Sequence, residues 1–86
     1  MIIVRITQLK LFMTNLLETP VGTKVRIKSI GSNRLLNRRL SSLGLKTGSE
    51  IEVMLHRNSG IVVANAGNRL ALSKSIAGEL VVEKME

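Results

Sequence analysis

The sequence predicts a mainly β protein, a small five-stranded barrel with one short α-helix inserted after its first strand and a short helical or 3₁₀ turn before its last. Three observations carry this expectation. Several short runs of alternating apolar and polar residues are separated by turn residues, the pattern of a small barrel. One segment between the first two of them has helical spacing instead. The length, 86 residues, suits one domain rather than two.

Thr14 to Glu18 reads as a single helical turn with Thr14 as its cap, ended by Pro20-Val21-Gly22. Lys24-Val25-Arg26-Ile27-Lys28 alternates strictly, placing Val25 and Ile27 on one face and three cations on the other. Gly31-Ser32-Asn33 breaks this strand, and Ser32 or Asn33 caps a helix. From Asn33 to Leu43 the leucines Leu36, Leu40 and Leu43 recur at i, i+4 and i+7, with Leu35 widening the stripe and Arg34, Arg38 and Arg39 on the other side. Gly44 stands where a left-handed residue ends a helix, and Leu45 where a leucine packs back onto the last turn.

Lys46 to Ser49 is a turn. The next strand, Glu50 to Leu55, directs Ile51, Val53 and Leu55 inward and Glu50, Glu52 and Met54 outward, and His56 to Gly60 is a polar loop after it. Ile61–Ala64 and Arg69–Leu72 form a hairpin about Asn65-Ala66-Gly67-Asn68. Ser73 to Gly78 makes the short helical connection, and Leu80 to Glu83 is the last strand, with Leu80 and Val82 inward. Closure of such a barrel would leave no exposed strand edge. Residues 1–12, apolar and without turn punctuation, read as an N-terminal extension. They form an extra strand or arm, or precede a natural start at Met13, and the domain proper spans residues 13–86.

Composition narrows the chemistry. There is no cysteine, which excludes disulfides, iron–sulfur ligation and thiolate zinc sites. Phe12 is the only aromatic residue, so the core is aliphatic. No apolar run reaches the roughly 20 residues of a membrane span, and no secretory leader pattern is present, so the expected location is the cytoplasm. The formal net charge of +7 points to an anionic partner.

Several motifs occur together in a fixed order: Gly22 to Ile27, Arg38-Arg39-Leu40-Ser41-Ser42-Leu43-Gly44-Leu45, Gly48 to Val53, Gly60, Gly67 to Ser73, and Ala77 to Val82. This set resembles the FeoA family, whose mark is an Arg-x-Leu-x-x-Leu-Gly-Leu-x-x-Gly helix exit before a strand. Here Arg38 opens that motif and Gly48 closes it, with Thr47 where the family usually has proline. The resemblance extends to the C-terminal module of metal-dependent repressors of the diphtheria-toxin-repressor type. It implies an SH3-like barrel and a non-catalytic accessory role in ferrous iron transport. The implied partner is a membrane ferrous iron transporter with a GTP-binding domain. Homo-oligomerisation stays open.

Candidate sites are sparse. With one histidine and no cysteine, no nucleophilic triad can be assembled, and no P-loop occurs. Glu50 and Glu52 share a strand face, an arrangement that more often solubilises than catalyses. A metal would have to use His56 with Glu52 or another glutamate, a weak Fe²⁺ or other divalent transition-metal site at best, so no resident cofactor is expected. The arginines Arg34, Arg38 and Arg39, with Met54, are the partner-binding candidates. Leu36, Leu40, Leu43, Gly44, Leu45 and Gly48 are structural. The basic faces fit three readings: a solvated surface, docking on an acidic protein surface or at the membrane edge, or nucleic-acid binding. Stable nucleic-acid binding is disfavoured because the barrel has no aromatic residue for bases to stack on. A basic nucleic-acid-binding or metal-sensing regulatory module is the alternative function.

Overall fold

The computed structural model describes residues 13–85. The reading of residues 1–12 as an extension lies outside them. Six strands form one antiparallel sheet: β1 (Met13–Asn15), β2 (Lys24–Ile30), β3 (Glu50–Arg57), β4 (Gly60–Asn65), β5 (Asn68–Ser73) and β6 (Leu80–Lys84). Their order across the sheet is β1-β6-β2-β3-β4-β5. Helix α1 (Arg34–Ser42) joins β2 to β3, and the one-turn helix α2 (Lys74–Gly78) joins β5 to β6. The strand alternation and the single helical segment are therefore where the sequence places them, with one strand more.

The added strand comes from the region expected to be helical. Residues Met13–Asn15 pair with Val81, Val82 and Glu83 of β6. Only Leu16–Glu18 turn, as a 3₁₀ helix, and the cap is Asn15 rather than Thr14. The Asn15 carboxamide oxygen accepts from the Glu18 backbone N–H, while the Thr14 hydroxyl donates to the Glu18 carboxylate. Among the described residues the sheet is unclosed, with β1 and β5 at its two edges. Helix α2 packs against the 3₁₀ turn and against β4, β5 and β6 instead. Leu16 and Ala77 are buried completely there, with Leu17 packed beside them. The barrel is thus completed by side chains rather than by a hydrogen-bonded ladder.

The core is aliphatic throughout the described residues, built on Leu16, Val25, Ile27, Leu40, Leu45, Val53, Ile61, Val63, Leu80 and Val82. Two β-bulges decide which residues reach it. In β2 the register shifts between Ile27 and Ser29, so the inward set runs Val25, Ile27, Ile30. In β3 it shifts between Val53 and Leu55. An extra residue reverses the inside–outside alternation beyond it. Leu55 consequently faces outward, 43% exposed, contrary to strict alternation, and Met54 is half-buried at the bulge. Beyond this bulge β3 continues through His56 and Arg57, which pair with Ile61 and Gly60. The expected polar loop shrinks to Asn58-Ser59. A Cβ at Gly60 would collide with the Leu72 carbonyl on the neighbouring strand, so this position tolerates only glycine.

Helix α1 begins at Asn33, whose side chain accepts from the Leu36 N–H. It ends in a Schellman motif. The Leu45 N–H donates to the Leu40 carbonyl at 2.8 Å and the Gly44 N–H to the Ser41 carbonyl at 3.0 Å. Gly44 has φ +90°, open to glycine at little cost, and the Asn65 amide donates to its carbonyl. This exit returns Leu45 to the core beside Leu40, with both essentially buried. Leu36 is half-buried, but Leu43, expected in the stripe, is 53% exposed. Leu43 is the cap residue where the helix stops, and Leu45 occupies the place that one more helical turn would have given it. Gly48, at φ +95°, turns the chain into β3.

The leucine motif therefore divides energetically. Leu45→Ala should lower unfolding free energy by about 2–5 kcal/mol, whereas Leu43→Ala should change it by less than about 0.5 kcal/mol. Chemical denaturation of the two variants checks this. The β4–β5 hairpin offers a gain. Ala66 sits at φ +50° and Gly67 at φ +86°, the type I′ pattern that favours Asn-Gly. Ala66→Asn should raise the melting temperature by several degrees, consistent with about 0.5–1 kcal/mol.

Candidate functional site

The charge is distributed unevenly along the chain. Between Thr19 and Ser49 there is no acidic residue, while Lys24, Arg26, Lys28, Arg34, Arg38, Arg39 and Lys46 all fall there. The fold splits these cations into two groups. On β2, antiparallel pairing with β3 and β6 sets Arg26 beside Glu50 and Glu83. Arg26 pairs with Glu50 at 3.3 Å and Lys28 with Glu83 at 3.5 Å. These exposed pairs are worth little to stability, but they quench most of the positive face predicted for β2. Glu50 is engaged with Arg26, which leaves the Glu50/Glu52 pair a solvated strand face.

Helix α1 is different. Leu40 and Leu36 hold one side of it against the core, and rotation of about 100° per residue turns Arg34, Arg38 and Arg39 to solvent. All three are exposed. Among the described residues none of them has an ion-pair partner, and neither does Lys46 after the helix exit. The arginines are brought together as expected, and Leu35 lies exposed among them at 60%. Met54, the other predicted contact residue, is half-buried at the β3 bulge and belongs to a different element.

His56 is not a loop residue. It extends β3, and its Nε2 donates to the Thr19 carbonyl at 2.6 Å, tying the β1–β2 connection to the sheet. Thr19 is buried. Among the described residues, no three His, Asp or Glu side chains lie close enough to share a metal ion, so His56 and Glu52 do not converge with a third ligand. A groove of about 300 Å³ lies between α1 and α2, lined by Leu35, Leu36 and Ile76 with Arg39 and Glu79 at its rim. Sequence reasoning did not find it. Its walls come from two helices distant in sequence. The Thr19 tether is likewise invisible in sequence, because it joins positions 37 residues apart.

A six-stranded antiparallel sheet wrapped on an aliphatic core, with a Schellman-terminated helix after its first long strand, defines an SH3-like small barrel domain. The profile of the FeoA domain matches residues 14–84, and the chain belongs to that family. A Methanocaldococcus jannaschii protein named for Fe(2+) transport, transport protein A, is 28% identical over 65 residues, spanning 76% of this chain and 79% of that protein. The crystal structure of an iron uptake regulatory protein, FeoA, superposes with a TM-score of 0.78 at 29% identity, covering 85% of this chain and 97% of that one. A manganese-dependent transcriptional repressor in complex with manganese shares the fold, with a TM-score of 0.80 at 21% identity, over 85% of this chain and 37% of the repressor. The resemblance read from the helix-exit motif is thereby established. No helix among the described residues is long and apolar enough to cross a membrane.

The His56 tether yields a test of its structural role. His56→Ala should cost about 0.5–1.5 kcal/mol, the usual worth of one such hydrogen bond, and should speed amide exchange in the Thr19–Thr23 connection, as measured by hydrogen exchange.

Proposed function

We propose that this protein is a non-catalytic accessory of ferrous iron transport, acting in the cytoplasm by contact with the cytosolic part of a membrane iron transporter that carries a GTP-binding domain. The observation that supports this reading is the family match over nearly the whole described chain, together with an arginine-rich helix face without ion-pair partners among the described residues. The related proteins are named for Fe(2+) transport and iron uptake regulation. Their shared features with this chain are the core, the helix exit and the sheet, which are features of a scaffold rather than of a reaction centre.

In this reading Arg34, Arg38 and Arg39 supply the electrostatic part of docking. Guanidinium groups make planar, bidentate contacts with carboxylates and phosphates and stay charged throughout the physiological range. Iron is the transporter's cargo.

The experiment is capture of this protein by the transporter's immobilised cytosolic domain. The Arg38→Glu/Arg39→Glu variant should bind at least about tenfold more weakly, because two charges are reversed at an exposed docking face. Its melting temperature should be unchanged. Equal capture of variant and wild type would remove α1 from the interface.

A further inference from the structure

Helix α1 presents two adjacent ridges to solvent. One runs Arg34, Arg38, Ser42 and the next runs Leu35, Arg39, Leu43, each at i, i+4 spacing. All six residues are exposed, and Leu35 and Leu43 retain 60% and 53% of their surface. The helix itself contains no acidic residue, and the exposed Lys46 lies just past its exit. The buried ridge, Leu36 and Leu40, explains why the helix is attached to the domain. It does not explain the exposure of Leu35 and Leu43 beside three arginines that have no ion-pair partner among the described residues.

We propose that the outer face of α1 is a peripheral membrane-binding surface. Arg34, Arg38 and Arg39 contact anionic lipid headgroups, and Leu35 and Leu43 enter the apolar layer just beneath. This goes beyond the reading of α1 as a transporter-docking face: the same face also meets the anionic headgroup layer beside the transporter. Two physical features select this occupant. A nucleic-acid backbone meets the arginines but gives exposed leucines nothing to bury against. An acidic protein surface meets the arginines but does not account for the exposed Leu35 and Leu43. A headgroup layer is charged at the surface and apolar below it, which matches the composition of the face. Arginine side chains are long enough to keep their charge among the phosphates while shorter leucines sit deeper.

A helix of nine residues with one exposed leucine, Leu35, and a second, Leu43, at its C-cap gives weak, reversible attachment that depends on anionic lipid. Each arginine near such a surface contributes about a fivefold increase in partitioning. The orientation comes from the fold, since Leu36 and Leu40 on the other side of α1 pack into the core.

Co-flotation of the full chain with vesicles tests this. The protein should float with vesicles of phosphatidylcholine mixed with phosphatidylglycerol and not with phosphatidylcholine alone. Arg34→Gln/Arg38→Gln should weaken binding by roughly 25-fold, about fivefold for each arginine. Leu35→Ser/Leu43→Ser should weaken it several-fold at salt concentrations where wild type still binds. Both variants alter exposed positions, and unchanged melting temperatures establish that they fold. Absence of binding to the mixed vesicles overturns the proposal, as does wild-type binding by the leucine variant. If vesicles fail while the transporter's cytosolic domain captures the protein in an arginine-dependent way, the lipid assignment falls and the docking reading stands. Vesicle binding without transporter capture supports the lipid surface and sinks the docking reading. Binding to a short DNA duplex at physiological salt in place of vesicle binding also overturns it.

Discussion

The arrangement of this domain depends on the way helix α1 stops. Two backbone hydrogen bonds, from Leu45 to Leu40 and from Gly44 to Ser41, close the helix at the point where Gly44 takes a positive φ. The same bonds bring Leu45 back to the core beside Leu40. The helix is therefore held at its C-terminal end by buried aliphatic contact, and its rotation about its own axis is set by which leucines that contact buries. Once Leu36 and Leu40 are committed to the core, the arginines have no direction left but outward. The exposed cationic face and the integrity of the core are two consequences of one local motif.

The sheet solves a different problem. A small aliphatic core has no large aromatic to fill gaps, so closure must come from the placement of modest side chains. Strand β1 contributes only three residues before Asn15 caps a 3₁₀ turn. The opening that remains between the edge strands is filled by Leu16 and Ala77, carried by that turn and by α2. Bulges in β2 and β3 turn the strands where a flat ladder would not wrap, and they bring Ile30 into the core while sending Leu55 out.

Electrostatics then sort the surface without contributing much to stability. Cations on β2 find glutamates because antiparallel pairing places them opposite β3 and β6. Cations on α1 find none among the described residues. The described domain thus has one largely neutralised face and one cationic face.

The helix, a cap at Ser32 or Asn33, its Gly44 exit, the β4–β5 hairpin and the inward positions of Val25, Ile27, Ile51, Val53, Leu80 and Val82 were legible in the sequence. Each depends on residues close together in the chain: a period, a capping side chain, or a glycine at a turn. The exposed arginines were legible for the same reason, as the complement of the leucine stripe. Tertiary structure alone decided the sixth strand, the unclosed edge, the exposure of Leu43 and Leu55, the His56–Thr19 tether and the groove between α1 and α2. These depend on strand register and on contacts between distant segments. A bulge, whose position no local pattern announces, reverses every side chain beyond it, and a helix that stops one residue early hands its last core position to the residue after the turn.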